Sequence, residues 1–448
     1  MPTARGLPLL GSALDLRRDF LGTMTRAMRE QGDVVRFLAG PPGRMRLTMY
    51  AAFHPDDVQR VLSTESASYR KDSWIWGELA GWFGDGVLTS QDERWARQRR
   101  LIQPIFTLRR VASYVSVMAE ETRRVVDRWH PTADAGGEVD LHLEMMRVTL
   151  RVVARVLFGS DIDEAIPVIH RAFPVIGKHV LNRATSPFRP PQTWPTPGNR
   201  RAARAKRELV SVCDQLVARR RSSSTGGTDL LSALLEARDP ETGKGLDDAG
   251  IRDQLLIFLL AGHETTATTL TFSFNLLGRH PEAQDRIRRE ADAVLGDREP
   301  RAEDIPTLVY TGMVIKEAMR LYPPVFANGR LTARGDRMRG YDIPPGSEVI
   351  LSPWATHRHP GFWEDPEHFD PERFRRERES ERHRYAYFPF GGGPRACLGQ
   401  HFSSMEAAVV ISSLIRAYEL TSSPEPPEMD PALTLRCRVP PRCQVRPR

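Results

Sequence analysis

Apolar positions recur at helical spacing over residues 15–30 and 55–65, while residues 34–50 alternate as a short hairpin does. An Arg-rich helical pattern covers 94–126, with a break at Pro104, whose ring removes a backbone donor. A further helix is predicted over 141–158. Segment 188–199 reads FRPPQTWPTPGN; Pro190, Pro191, Pro195 and Pro197 exclude a helix interior, so a loop is predicted. A second, polar linker is predicted over 222–228. Residues 247–278 form the longest helical candidate, roughly 48 Å at about 1.5 Å per residue, and its apolar middle must cross an interior. Helices follow over 281–294 and 307–322, the second stopped by Pro323-Pro324. The period then changes: 337–343, a turn at Pro344-Pro345-Gly346, and 348–352 read as a small β-hairpin. A last long helix is predicted over 400–418 and a closing strand pair over 434–445, around Pro440-Pro441. The pattern predicts a mainly α chain with a small β portion and no internal repeat.

Composition narrows this picture. The chain has 448 residues, 40% hydrophobic and 27% charged, which excludes collagen-like, low-complexity and membrane-bundle classes. A chain this long can enclose a large cofactor. The longest apolar run, 255–262, is far short of the ~18 residues of a spanning helix. Near the N-terminus the apolar stretch Leu7 to Leu10 is interrupted by Pro8, which excludes a signal segment. The expectation is a soluble, cytoplasmic protein without a membrane anchor. Net charge is +7 and spread along the chain, which calls for no nucleic acid and suits an acidic protein partner equally. Four cysteines (Cys213, Cys397, Cys437, Cys443) show neither a disulfide framework nor zinc spacing, in keeping with a reducing compartment.

The richest chemistry lies in residues 388–399, FPFGGGPRACLG. A cysteine at a helix N-terminus faces unpaired N–H groups and the positive dipole end, which favour thiolate. Glycines before it let backbone lie close to a flat object. The same stretch loosely matches a dinucleotide cradle through Gly391, Gly393 and Ala396, but no clean strand precedes it and no βαβ unit follows. In the long helix, Ala261-Gly-His-Glu-Thr-Thr266 follows an apolar run, so Glu264 falls in a segment that should be buried. His263-Glu264 lacks the second histidine of a zinc motif, because residue 267 is Ala. Glu317 and Arg320 form an i,i+3 pair, by itself worth only about 0.2–0.5 kcal/mol. Trp95 and Arg99 stand one helical turn apart, so both can address one anionic group.

Together these residues resemble the cytochrome P450 family, from about Arg5 to the C-terminus. Its haem-binding signature is matched at Phe390, Gly393, Arg395, Cys397 and Gly399. The resemblance implies a mainly α fold over a single catalytic domain, 1–448, with haem b between the long central helix and the helix after the cysteine loop. Cys397 is then the axial thiolate, Arg395 reaches a haem propionate and Phe390 packs on the cysteine side of the ring. Trp95, Arg99 and Arg330 correspond to further propionate contacts. Ala261, Gly262, Glu264 and Thr265 match the family's oxygen-binding motif: Gly262 permits a local opening of the helix, and Glu264 with Thr265 relays protons. Glu317 and Arg320, with Arg373 of Pro371-Glu-Arg-Phe374, correspond to the buried network that supports the cysteine loop.

The implied function is a haem-thiolate monooxygenase using O2, with the thiolate pushing electron density toward O–O cleavage. No flavin reductase domain follows, so electrons are expected from ferredoxin and ferredoxin reductase or an equivalent, and the protein is expected to be a monomer. Residues 74–88, a variable loop by resemblance, contribute Trp76, Phe83 and Leu88 to the pocket. Phe258, Ala261, Val325, Phe326 and Asn328 complete it. Their character implies a largely apolar small organic substrate: a terpenoid, polyketide or aromatic natural product. Segment 187–199 is the candidate entrance lid. Arg375, Arg376, Arg378, Arg382 and Arg384 form a basic run, either solvated surface or a docking face for an acidic ferredoxin. Two other readings stand: an oxidase that closes rings or couples carbons without oxygen insertion, and a haem sensor or carrier. Glu264-Thr265 argues against the last, which needs no proton relay.

Overall fold

A computed structural model of the chain describes residues 1–43, 46–159, 165–185, 190–222 and 227–448. The backbone forms two compact units, each discontinuous in sequence: Met1–Trp76 with Lys316–Cys397, and Gly77–Ile315 with Leu398–Arg448.

The first unit is built on a five-stranded sheet in the order Val34–Ala39, Leu47–Ala52, Glu348–Leu351, Asn328–Thr332, Tyr69–Arg70. Alternation along the first strand sends Val34 to one core and Val35 and Phe37 to the other, so both sheet faces are covered. The predicted helix over 15–30 breaks at Asp19, whose carboxylate accepts from Gly22 N at 2.8 Å and caps Phe20–Gln31. The helix Pro55–Gln59 is continued by a single π turn, Arg60–Thr64. The hairpin expected between 337–343 and 348–352 is not formed. Asp336–Met338 pairs instead with Tyr341–Ile343 across the two-residue turn Arg339-Gly340, both at positive φ (45° and 82°) as a type I′ turn requires. Arg339 is held there by Asp57, at 2.9 Å. Glu348–Leu351 pairs with Leu47–Ala52 in parallel and with Asn328–Thr332 antiparallel.

Helices dominate the second unit. Asp248–Leu277 starts at the Asp247 cap, whose Oδ1 accepts from Gly250 N at 2.8 Å, and is buried nearly all round. It is long and apolar enough to cross a bilayer by length and composition, yet 78% of its apolar stretch is buried in the protein. Its main neighbour is Leu141–Phe158, which begins at the Asp140 cap and stops at Gly159. The Arg-rich stretch forms Asp92–Ile102, Leu108–Ala112 and Val115–Asp134, with the expected interruption around Pro104. Trp74–Phe83, expected as loop, is helical. Helix Pro197–Ser222 opens at Pro197, so the predicted loop ends earlier than Asn199; proline suits a first turn, where no N–H is needed. Phe188 and most of the 222–228 linker lie outside the described residues. The strand pair expected within 434–445 is also replaced. Leu435–Cys437 pairs with Met429–Pro431, and Arg442–Pro447 joins Tyr418–Ser422 and Glu138–Asp140. Pro440 and Pro441 have no N–H to offer a tight hairpin ladder.

Candidate active site

In the first unit the cysteine loop closes on itself: Cys397 N donates to Phe390 O at 2.9 Å and Gly391 N to Phe388 O at 2.9 Å. Gly393 sits at φ +63°, and a Cβ there would lie 1.8 Å from the carbonyl oxygen of Leu62, so only glycine lets the loop pass that backbone. Phe390 is half-buried, whereas Cys397 is exposed. The other cysteines differ in kind: burial pushes Cys213 and Cys437 up to about 12 and Cys443 up to about 11, holding them as neutral thiols.

The loop rests on a buried ionic network. Arg320 donates to Glu317 through Nε (2.7 Å) and Nη2 (2.8 Å), both side chains fully buried. Asp370 N donates to Glu317 Oε1 at 3.0 Å, and Arg373 Nε stands 3.5 Å away as an ion pair. The remaining Arg320 donors reach the carbonyls of His357 (3.0 Å), Pro366 (2.6 Å) and His368 (3.1 Å). His357, which the sequence reading missed, carries this support onward: its Nε2 accepts from Phe388 N at 3.0 Å. Burial, with Arg320 and Arg358, holds its imidazole well below the usual range, so the ring stays neutral and can accept.

Arg330 is buried, and burial with the neighbouring Arg395 guanidinium pushes it down to about 10. It donates to Gly329 O at 2.9 Å and to Asn328 Oδ1, so Asn328, expected in the substrate pocket, orients this arginine. Trp76 donates to Gly329 O at 3.3 Å beneath Lys71, whose Nζ stands 4.3 Å over the indole. Phe326 packs edge-on against Phe20, and Val325 is exposed.

In the second unit, from Gln254 to Leu277 only Phe258, Ala261, Gly262 and Thr265 escape full burial; i, i+3, i+4, i+7 spacing makes them one stripe. The helix runs unbroken through Gly262, so the expected local opening is absent; the missing Cβ instead admits Val153 of the adjacent helix. Thr265 Oγ1 donates to Ala261 O at 2.6 Å. Glu264 is buried and turned elsewhere: its Oε1 accepts from Thr434 Oγ1 (2.8 Å), Arg436 Nε (2.9 Å) and Arg436 Nη2. Trp95 and Arg99 are half-buried one turn apart, while Arg100, on the same helix, pairs with Asp239. Phe83 is stacked on Phe173 at 5.7 Å in the interior, Phe258 meets Phe106 edge-on, and Leu88 is half-buried. A cavity of about 1020 Å³ in this unit is lined by Trp82, Gln192, Lys206, Arg207, Arg252 and Leu256, and by none of the expected pocket residues. The 190–196 loop at its edge is pinned, with Asn199 Nδ2 donating to the carbonyls of Pro191 (2.9 Å) and Trp194 (2.8 Å).

Of the basic run in the first unit, Arg375, Arg376, Arg378 and Arg384 are exposed. Arg382 is not part of that face: it lies 3.9 Å over the Trp363 ring and donates to Arg373 O at 2.9 Å.

These residues fit an iron porphyrin. The exposed thiol suits the metal, and Arg330 beside Arg395 suits a propionate, since neighbouring guanidiniums are eased by an anion between them.

The comparisons agree with this chemistry. A family model described as Cytochrome P450 matches residues 1–444. The cyclooctat-9-en-7-ol 5-monooxygenase of Streptomyces melanosporofaciens is 37% identical over 424 residues, covering 94% of this chain and 90% of the relative. Cyclooctatin synthase from the same organism is 36% identical, covering 94% and 89%. Pentalenene oxygenase of Streptomyces avermitilis is 32% identical, covering 94% and 92%.

Proposed function

The chain belongs to the cytochrome P450 family and is a haem-thiolate monooxygenase; on that premise we propose that it oxygenates a cyclic, largely apolar terpenoid in natural-product biosynthesis. The relatives' names support this substrate class: one is named for cyclooctat-9-en-7-ol, another for pentalenene. The observation that carries the reading is the exposed Cys397 thiol, on a loop braced by His357 and the Glu317–Arg320 pair.

Haem b, when bound, supplies the activation of dioxygen for insertion into an unactivated C–H bond. This chain supplies the rest. Cys397 would be the haem's thiolate ligand, and Arg330, Arg395, Trp95 and Arg99 would be the residues that meet its propionates. The Phe258–Ala261–Thr265 stripe offers an apolar surface for orienting substrate, and Glu264 and Thr265 hold and pass protons. Phe83, Leu88, Val325 and Phe326 are retained as pocket candidates. The whole chain, 1–448, acts as one catalytic domain, as a monomer. Four cysteines outside any disulfide suit a reducing cytoplasm.

The test is a carbon monoxide difference spectrum. The wild type should show the thiolate band and a substrate-induced spin shift with cyclic alkenes and alkenols. Cys397→Ser should lose the band and all product. Labelled dioxygen should leave one labelled atom in product; product without label would move the assignment to ring closure or coupling.

Electrons come from separate redox proteins, and ferredoxin with its reductase fits the exposed arginines best. Arg376→Glu with Arg378→Glu should slow reduction by an acidic ferredoxin several-fold and flatten its salt dependence. Unchanged reduction would leave that face as solvated surface.

A further inference from the structure

We infer that Arg436 and Thr434, on the C-terminal hairpin, are positioning residues for the acid of the proton relay: they hold one oxygen of Glu264 and leave the other to carry the proton. The inference rests on the monooxygenase reading and deepens it. Its observation is one-sided. All three donors that reach Glu264 converge on Oε1, namely Thr434 Oγ1, Arg436 Nε and Arg436 Nη2. Among the described residues no donor reaches Oε2. A carboxyl free at both oxygens can turn and present either one; with Oε1 fixed by a charged fork, Oε2 alone is left to exchange protons.

The surroundings support the division. Glu264 is 5% exposed, whereas the Arg436 side chain is 33% exposed, so the anchor bridges a buried acid and the solvent side. Thr265 cannot serve as anchor, because its hydroxyl donates to Ala261 O. The other titratable groups near Glu264 are His142, on Leu141–Phe158, and His263, its neighbour on the long helix. Burial pushes both imidazoles down, and Arg436 lowers both further, so neither competes with the arginine for the carboxylate. Thr268 Oγ1 donates to Leu435 O at 3.4 Å, tying the same hairpin to the same helix one turn on. In the proton step Oε2 would take a proton from water and hand it to the Thr265 oxygen, and the hydroxyl's own proton, once turned from Ala261 O, would pass to the oxygen substrate. When delivery is misdirected, two electrons and two protons leave dioxygen as hydrogen peroxide.

The test uses the haem-loaded enzyme with its electron donors and a substrate found by the spin-shift screen. Arg436→Gln should lower product per oxygen consumed by roughly tenfold, with peroxide making up the difference, a part of the ~10²–10⁴ a positioned acid contributes. Arg436→Lys, which keeps the charge but not the fork, should fall between, and Thr434→Val should cost about twofold. In a Glu264→Gln background, Arg436→Gln should change nothing further. An independent readout is the Glu264 carboxyl carbon resonance in the ¹³C-Glu-labelled, carbon-monoxide-bound protein. It should move in Arg436→Gln and return toward the wild-type position in Arg436→Lys. Normal coupling in a folded Arg436→Gln protein, or the same loss with Glu264 already replaced, overturns the assignment. A thiolate band without oxygenated product would instead remove the monooxygenase reading, and the resonance would still decide whether Arg436 holds Glu264.

Discussion

Glu317 and Glu406 are both fully buried, one in each unit, and their surroundings are opposites. Glu317 is saturated: Arg320 and Asp370 N donate to it and Arg373 stands beside it. Glu406, on Gln400–Ala417, has no hydrogen-bond partner at either oxygen among the described residues, and burial alone pushes its carboxyl well above the usual range, so it stays neutral. The first buried charge organises a loop. The second carboxyl is a desolvated group that stability has to absorb. Burial alone therefore says little about what an acid does for a protein; the donors around it decide the sign.

That contrast makes opposite predictions for one substitution. Glu317→Met strands Arg320 and Arg373 without their carboxylate and should cost about 3–5 kcal/mol, read as a fall in the urea midpoint. An unchanged midpoint would show the network to be dispensable. Glu348 supplies a middle case, because burial raises it to about 7 from 4.5 while Arg330 pulls the other way. Its folded-state value lies above its unfolded one, so its contribution is complete below about pH 4.5 and is lost as pH climbs through about 7. That loss is roughly 3 kcal/mol. Glu348→Gln should flatten the stability–pH curve across this window relative to wild type; parallel curves would count against the raised value. Glu406→Met should stabilise by about 1–3 kcal/mol, because an unmet polar group is replaced by an apolar one of similar size. The gain should grow with pH, since the neutral carboxyl's contribution disappears as pH rises through its raised value. A loss on Glu406→Met would mean the acid has a partner and would end the contrast.

Local chemistry explains what could be read from the chain. The long helix, the Glu317–Arg320 pair and the Cys397 loop each announce themselves within a dozen residues, and the structure has them as expected elements. Long-range pairing could not be read in this way. Glu264 and Arg436 are 172 positions apart, and nothing in Leu-Arg-Cys marks that arginine as an acid's partner. His357 meets the cysteine loop through a ring nitrogen kept neutral by burial, a property of surroundings rather than of residue type. The misplaced hairpin has a similar cause. Pro344-Pro345-Gly346 carries strong turn residues, but the tight turn formed at Arg339-Gly340, where Asp57 holds an arginine in a backbone conformation its own preferences disfavour. Arg382 looked like its exposed neighbours until the Trp363 ring lay beneath it.

The parallel pairing of Tyr50 with Val349 has a consequence for biosynthesis. A ribosome adding about 5–20 residues per second makes the second strand roughly 300 residues, or about 15–60 s, after the first. Through that interval the nascent N-terminal hairpin carries an uncovered edge, the kind of surface to which chaperones bind and from which aggregates grow. Expression should therefore respond to slower elongation or added chaperone while residues 53–347 are being made, before the haem-binding cysteine has been translated.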